Sequence, residues 1–412
     1  MASALFKRLT AFKLPLDEVE EIIASHFRHS TWTDDGHVEF SHFGPLYPQA
    51  ALTLLLGDDR RPRDAKEGPD LRAGDIEQIE TTLAKLSSRS TLVHYRQVAF
   101  SSSPVRSAFK YKDYFQIVPM PVGSPVPIEA MAQWPFVFEF TYLGSENMSI
   151  DTHRRAKAES KLLSLLNALC ISGVRSAKPS GGKVWVMGQR GDTQYLQAGY
   201  YHPVPSGPHF LETALYPPMR RTPAPAYYGG FVETLTGFSL PDDIEASLDY
   251  YHAMSEPDRD RFDIATHWFS KYSELKSISM SAGIVALVTA LEALAPKPTV
   301  PPCPTCGNVG SAVRGFRMLL DAAAEHHTEA KDQFYKLRSR IAHGVWLQHS
   351  DFSAWGGGSQ ARLEEFDVDR LEETVRYVLH NWLIPEIRDR IATMAMRTHN
   401  HPPSRQTGIL DP

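Results

Sequence analysis

The stretch F-Y-K-L-R-S-R-I-A-H-G, residues 334–344, reads as the last turns of a helix. Phe334, Leu337 and Ile341 fall at i, i+3 and i+7, the spacing of one apolar helical face. Gly344 fits the position just past a helix end, where a left-handed residue closes the last turn. His343 then sits in the last turn, where the helix dipole favours its cationic form. Arg338 and Arg340 stand beside it in a chain whose formal net charge is −5. A histidine that titrates near neutrality can move a proton, and an arginine can grip phosphate oxygens in a bidentate fork. An ideal helix puts Ser339 and Arg340, four and three residues before His343, on roughly its face. Arg338, five before, points elsewhere unless the end unwinds. The plainer reading is a basic last turn that complements the dipole, with a surface histidine.

Outward from this stretch the texture from about residue 240 is helical. The runs S-L-P-D-D-I-E-A-S-L-D-Y-Y-H-A-M-S-E (239–256), P-D-R-D-R-F-D-I-A-T-H-W-F-S-K-Y-S-E-L-K-S (257–277) and S-M-S-A-G-I-V-A-L-V-T-A-L-E-A-L-A-P (279–296) each read as a helix. Ser239 and Pro241 give the first its start signal and Pro296 stops the third. Residues 311–344 read as one long helix and 367–396 as another, so 236–396 is expected to form an all-α bundle. Residues 397–412 are polar and proline-bearing and read as a disordered tail.

Residues 1–235 read as a mixed, strand-rich domain, which makes the chain α+β. Short runs rich in β-branched and aromatic residues start at His37, Ala51, Thr91, Tyr114, Phe136, Lys183 and Tyr195. Gly, Pro, Asp and Ser separate them. One helix interrupts them before Gly173, with Leu162, Leu163, Leu165, Leu166 and Leu169 forming a broad apolar face. Residues 57–75, charged and bearing Pro and Gly, read as an exposed loop. Residues 216–230, proline-rich, read as a boundary between domains.

The 412 residues exceed one ordinary core. The sequence pI near 6.4 gives no global pull towards nucleic acid or anionic membrane, so a nucleic-acid site has to be a local basic patch. Three cysteines are no disulfide framework and fit a reducing cytoplasm. The N-terminus lacks the apolar stretch of a signal peptide, and no run reaches the length of a membrane span.

The combination of Tyr335, Arg338-Ser339 and His343-Gly344 at the end of a helix resembles the signature of HEPN domains, and within them the Apea-like group. The preceding L-V-T-A-L-E-A-L-A-P (287–296) is similar to that group's apolar helix with an internal glutamate. The resemblance covers about residues 240–395 and does not extend to 1–235. It implies a metal-independent endoribonuclease, with no catalytic cofactor, of anti-phage or toxin-like systems. Its arginine and histidine act across a homodimer interface. It favours Arg338 over Arg340 as the motif arginine. The chemistry asks for a dimer independently. Attack by an RNA 2′-OH needs a base, an acid and positive charge at the phosphorane. One motif supplies one histidine, and two motifs across a twofold axis supply two. The expected partners are therefore an RNA substrate such as tRNA, a second copy of the chain, and a phage-derived or small-molecule trigger, with residues 1–235 the expected seat of sensing or of RNA recognition. The alternative is a HEPN module that binds RNA or nucleotides, or mediates assembly, without cleavage.

Glu292 stands in an otherwise apolar run. A buried carboxylate needs a cation, and Arg338 or Arg340 could serve, with Glu292 orienting it. The other reading is a thin exposed stripe with Thr289. Cys303 and Cys306 form a C-P-T-C-G turn, half of a structural zinc site, which His326 and His327 or a second knuckle would complete; a degenerate knuckle is the alternative. Arg154, Arg155 and Lys157, like Arg220 and Arg221, are local basic clusters that read either as an RNA-backbone contact or as solvated faces.

Overall fold

The structure is a computed structural model. It describes residues 2–43, 49–57, 61–88, 91–120, 134–171, 173–176, 182–187, 193–198, 213–229, 237–276, 278–296, 312–325, 331–342, 347–348, 351 and 359–397. The chain is α+β and divides into two compact units. The first comprises residues 1–95 and 140–159, the second 96–139 and 160–412. The boundary expected near residue 235 falls within the second unit.

In the first unit, α1 (Ala4–Thr10) and α2 (Leu16–His26) precede a four-stranded antiparallel meander. Its strands are β1 (His29–Trp32), β2 (Val38–Ser41), β3 (Leu52–Leu56) and β4 (Pro62–Glu67), in that order. Successive strand residues face opposite sides, and the buried ones alternate accordingly: Val38 and Phe40 on β2, Leu52 and Leu54 on β3. Helix α3 (Asp75–Ser88) buries Ile76, Ile79, Leu83 and Leu86 at helical spacing. These residues join Leu5, Leu9, Ile22, Ile23 and Phe27 in one core. Each such aliphatic side chain contributes roughly 1.5–3 kcal/mol by leaving water. The charged run 57–75 is thus not simply a loop. It contains β4, whose Ala65 is buried and pairs with Leu54 of β3.

A five-stranded sheet has the order β6-β7-β8-β5-β9; β6, β7 and β9 belong to the second unit, and the division between the units falls within β5 and β8. These strands are β5 (Thr91–Ser101), β6 (Phe109–Tyr111), β7 (Phe115–Pro119), β8 (Trp134–Gly144) and β9 (Val174–Ser176). Every residue of β7 is buried, Gln116 included, and the Gln116 amide donates to Glu139 of β8. Helix α4 (Met148–Leu169) buries Leu163, Leu165, Leu166 and Leu169. A hairpin joins β10 (Gly182–Met187) to β11 (Thr193–Ala198). A short parallel pair links β12 (Arg221–Thr222) to β13 (Leu240–Pro241), and α5 (Ala224–Gly229) lies between them in the chain.

The described part of the run 216–230 packs into the second unit. Tyr227 and Tyr228 of α5 are buried. The Tyr227 hydroxyl accepts from the Ile171 N–H at 2.9 Å and donates to the Ser239 carbonyl at 2.9 Å; that of Tyr228 donates to the Leu169 carbonyl at 3.1 Å.

The helical series runs α6 (Ile244–Ala253), α7 (Glu256–Leu275), α8 (Met280–Leu294), α9 (Ala312–Ala323), α10 (Lys331–Ala342), α11 (Ser359–Trp382) and α12 (Pro385–Arg397). Three sequence readings change. Helix α6 begins at Ile244, because Leu240 and Pro241 are occupied in the β12–β13 ladder. Residues 311–344 hold two helices, not one. Residues 367–396 also hold parts of two, divided where Pro385 opens α12; a proline lacks the N–H an interior position needs but suits a first turn. No helix among the described residues is long and apolar enough to cross a membrane.

Candidate functional site

Helix α8 is the backbone of the site. Nine of its residues are buried, including Ile284, Leu287, Val288, Leu291 and Leu294. It packs against α7, α9, α10 and α11. Both ends are specified. At the start, Ser279 caps the helix by accepting from the Ala282 N–H. The Asp351 carboxylate accepts from the Met280 and Ser281 N–H groups at 2.7 and 3.2 Å, and the Gln348 N–H donates to Ser281 Oγ at 2.8 Å. A carboxylate on the first amides matches the positive end of the helix dipole. At the other end, Ala295 is extended at φ −62°, ψ 136°. Pro296 follows it, and the residue before a proline is disfavoured in the helical region.

Helix α10 carries Tyr335, Arg338, Ser339 and Arg340. Phe334 is buried, Leu337 and Ile341 are half-buried, and Tyr335 meets the Phe316 ring of α9 edge-on at 5.5 Å. The apolar face read from the sequence is therefore the inward face. On its flank, Arg338 Nη2 donates to Glu292 Oε2 at 3.2 Å. Of the two arginines open to Glu292 in the sequence, Arg338 is the one in this contact, and Glu292, like Thr289, is half-exposed. Thr289 instead turns its hydroxyl back to the Val285 carbonyl at 2.7 Å.

The side chains of Arg338 and Glu292 retain 28% and 23% of their exposure. Water screens such a pair, so its stabilisation is about 1 kcal/mol or less. The value of the contact is geometric. It uses one terminal nitrogen of the guanidinium. Arg338 Nε is buried and, among the described residues, has no hydrogen-bond partner. An arginine carries five N–H donors, and the contact to Glu292 uses one of its nitrogens. Ser339 is half-buried and Arg340 is exposed. His343 and Gly344 lie outside the described residues, as do Cys303, Cys306, His326 and His327. Among the described residues no group of three or more histidines, cysteines or carboxylates could hold a metal ion.

The basic cluster on α4 has other partners. Arg154 makes a forked contact to Glu18 of α2, at 2.9 Å through Nε and 2.6 Å through Nη2. Lys157 and His153 both meet Asp17. Arg155 lies over the Tyr95 ring at 4.7 Å. Arg154 and Lys157, which belong to the first unit like Glu18 and Asp17, thus have their charges taken up within that unit. Arg221 likewise meets Glu245.

The sequence reading passed over a second polar cluster, in the first unit. Asp75, the buried first residue of α3, lies 3.0 Å from Nε2 of His26 and 2.8 Å from Nε2 of His42, and accepts from the Arg72 N–H at 2.8 Å. Burial alone would raise this carboxyl's pKa. The contacts to His42 and His26 and the Arg72 amide outweigh it and hold the group below its ordinary value. The two histidines and the aspartate are far apart in the chain with no shared motif; the only hint was an aspartate at a helix start after a glycine.

No family model matches the chain, and no curated protein or solved structure matches it.

Proposed function

We propose that the chain is a metal-independent endoribonuclease whose site is built on Arg338 and His343 and completed in a homodimer. One observation carries this reading. The motif arginine stands near the end of a bundle helix, held at one nitrogen by Glu292, with its buried Nε unpartnered among the described residues. The resemblance of residues 335–344 to the Apea-like HEPN signature supports it from the sequence side.

The reaction requires no external nucleophile. The RNA 2′-oxygen forms a bond to phosphorus while the bond from phosphorus to the 5′-oxygen breaks. The products are a 2′,3′-cyclic phosphate and a 5′-hydroxyl. His343 takes the 2′-OH proton, and His343 of the partner subunit gives a proton to the leaving oxygen. Arg338 offers a planar fork to the phosphorane, where charge develops. The first unit is the natural seat of a trigger or of RNA selection, in an anti-phage or toxin-like setting.

The test is cleavage of total RNA, tRNA included, in EDTA. Wild-type protein is expected to cut and leave 2′,3′-cyclic phosphate ends. His343→Ala and Arg338→Ala are expected to lose at least a hundredfold, the scale of a lost general acid-base group or oxyanion donor. Arg340→Ala is expected to lose little. Binding of RNA with no cleavage by any version would replace the enzyme with a binding module. Full activity in Arg338→Ala would remove the site altogether.

A further inference from the structure

Arg261 of α7 grips the end of α8 that carries Glu292. Its Nε donates to the Ala293 carbonyl at 3.3 Å, and its Nη2 donates to the carbonyls of Leu294 and, at 3.1 Å, Ala295. These three consecutive carbonyls begin at the residue after Glu292. The last carbonyls of a helix have no intrahelical donor. They form the negative pole of the helix dipole, and a carboxylate in the last turn adds to that charge. A guanidinium spanning them supplies the missing donors and offsets both. Arg261 thus places positive charge at the helix end whose last turn holds Glu292.

The same neighbourhood contains a matched arginine. Arg261 lies over the Trp382 ring at 5.6 Å and Arg388 lies over it at 5.5 Å. Arg388 also grips a helix end, donating to the carbonyls of Trp382 and Leu383 at 3.0 and 2.7 Å. That end belongs to α11. Two arginines therefore share one aromatic ring and one kind of contact, and they differ in which helix they hold.

We infer that Arg261 is a positioning residue for RNA cleavage: by clamping the end of α8 it fixes Glu292, and through Glu292 the guanidinium of Arg338. The inference rests on the ribonuclease reading above. A side chain that only stabilised the bundle would act as Arg388 acts. One that acts through Glu292 must lose its effect once Glu292 no longer holds Arg338.

The experiment compares Arg261→Ala with Arg388→Ala in the full-length chain, measuring kcat, KM and thermal midpoint on one RNA substrate. Arg261→Ala is expected to lower kcat roughly tenfold with KM little changed, since small misplacements of a catalytic group cost rate rather than binding. Arg388→Ala is expected to lower the midpoint similarly and leave kcat at the wild-type value. In a Glu292→Ala background, which removes the acceptor of Arg338, Arg261→Ala should remove less than about a further twofold, the signature of residues acting in series. Where Arg261→Ala does not fold, Arg261→Lys keeps the charge without the fork and carries the same expectations. Equal kcat values in the two single variants, or losses that multiply with Glu292→Ala, would overturn the inference while leaving the site intact. Absence of cleavage by wild type, or full cleavage by Arg338→Ala, would overturn the ribonuclease reading and this inference with it.

Discussion

Gly315→Ala sets two opposing effects against each other, and the structure decides the sign. Gly315 lies inside α9, where replacing glycine with alanine ordinarily stabilises by about 1 kcal/mol. Here a Cβ would stand 2.3 Å from the Pro296 carbonyl oxygen and 3.7 Å from Ala295 Cβ. Carbon and oxygen normally approach to about 3.3 Å, so the neighbours must separate by close to an ångström. The obstructing atom is backbone and cannot rotate away. It follows directly on the end of α8 that Arg261 clamps. Overpacking of this kind costs roughly 1–3 kcal/mol. The upper part of that range applies, and the net expectation is destabilisation by about 1–2 kcal/mol. Urea unfolding followed by far-ultraviolet circular dichroism measures it. Gly173→Ala is the control: nothing lies within 4 Å of its Cβ position, and a change of about 0.5 kcal/mol or less is expected. A Gly315→Ala protein as stable as wild type, or more so, would refute the close approach of α9 to the end of α8. The account of how Glu292 is held would fall with it.

Further expectations concern the rest of the chain. Because the folded-state pKa of Asp75 is depressed, its contribution to stability is present above the ordinary value of 3.8 and is lost as pH falls through the lower folded value. The stability gap between wild type and Asp75→Asn should therefore be full near pH 7 and close below about pH 4; a gap independent of pH would contradict the cluster. Tyr227→Phe leaves a half-buried Ile171 N–H and a buried Ser239 carbonyl without this partner and should cost about 1–3 kcal/mol in denaturant unfolding. A change within 0.5 kcal/mol would show that those groups have another partner. Burial pushes the Cys170 thiol up to about 12, with Arg376 and Arg221 opposing. In a chain carrying Cys303→Ser and Cys306→Ser, a thiol reagent at pH 8 should find nothing until denaturant exposes Cys170. Rapid labelling of the folded protein would show that α4 does not cover it.

Patterns of local period were legible in the sequence, and patterns that depend on distant partners were not. The seven strand runs overlap β2, β3, β5, β7, β8, β10 and β11, with ends that differ by one or two residues at several of them, because alternation and β-branched content are properties of a few adjacent residues. The apolar faces of α4, α8 and α10 were legible for the same reason. The charged run 57–75 concealed β4, whose only buried apolar side chains are those of Pro62 and Ala65 and whose place is set by pairing with β3. The proline-rich run 216–230 concealed α5, whose two tyrosines are recognisable as core only once their hydroxyl partners on residues 169, 171 and 239 are in place.

At the candidate site the division is similar. The sequence by itself determined that residues 334–341 form a helix with an apolar face, that two arginines lie on its outer part, and that a lone glutamate interrupts the apolar helix before it. Those facts follow from helical period and from the cost of burying a charge. Only the tertiary structure decided that Arg338, and not Arg340, meets Glu292, since either arginine satisfied the chemistry and the choice depends on how α10 lies against α8. It also decided that Arg154 and Lys157 meet Glu18 and Asp17, more than a hundred residues away in the chain. A local sequence specifies which face of a helix is apolar. It cannot specify which distant side chain that face will bring within reach, because that is fixed by the packing of whole elements.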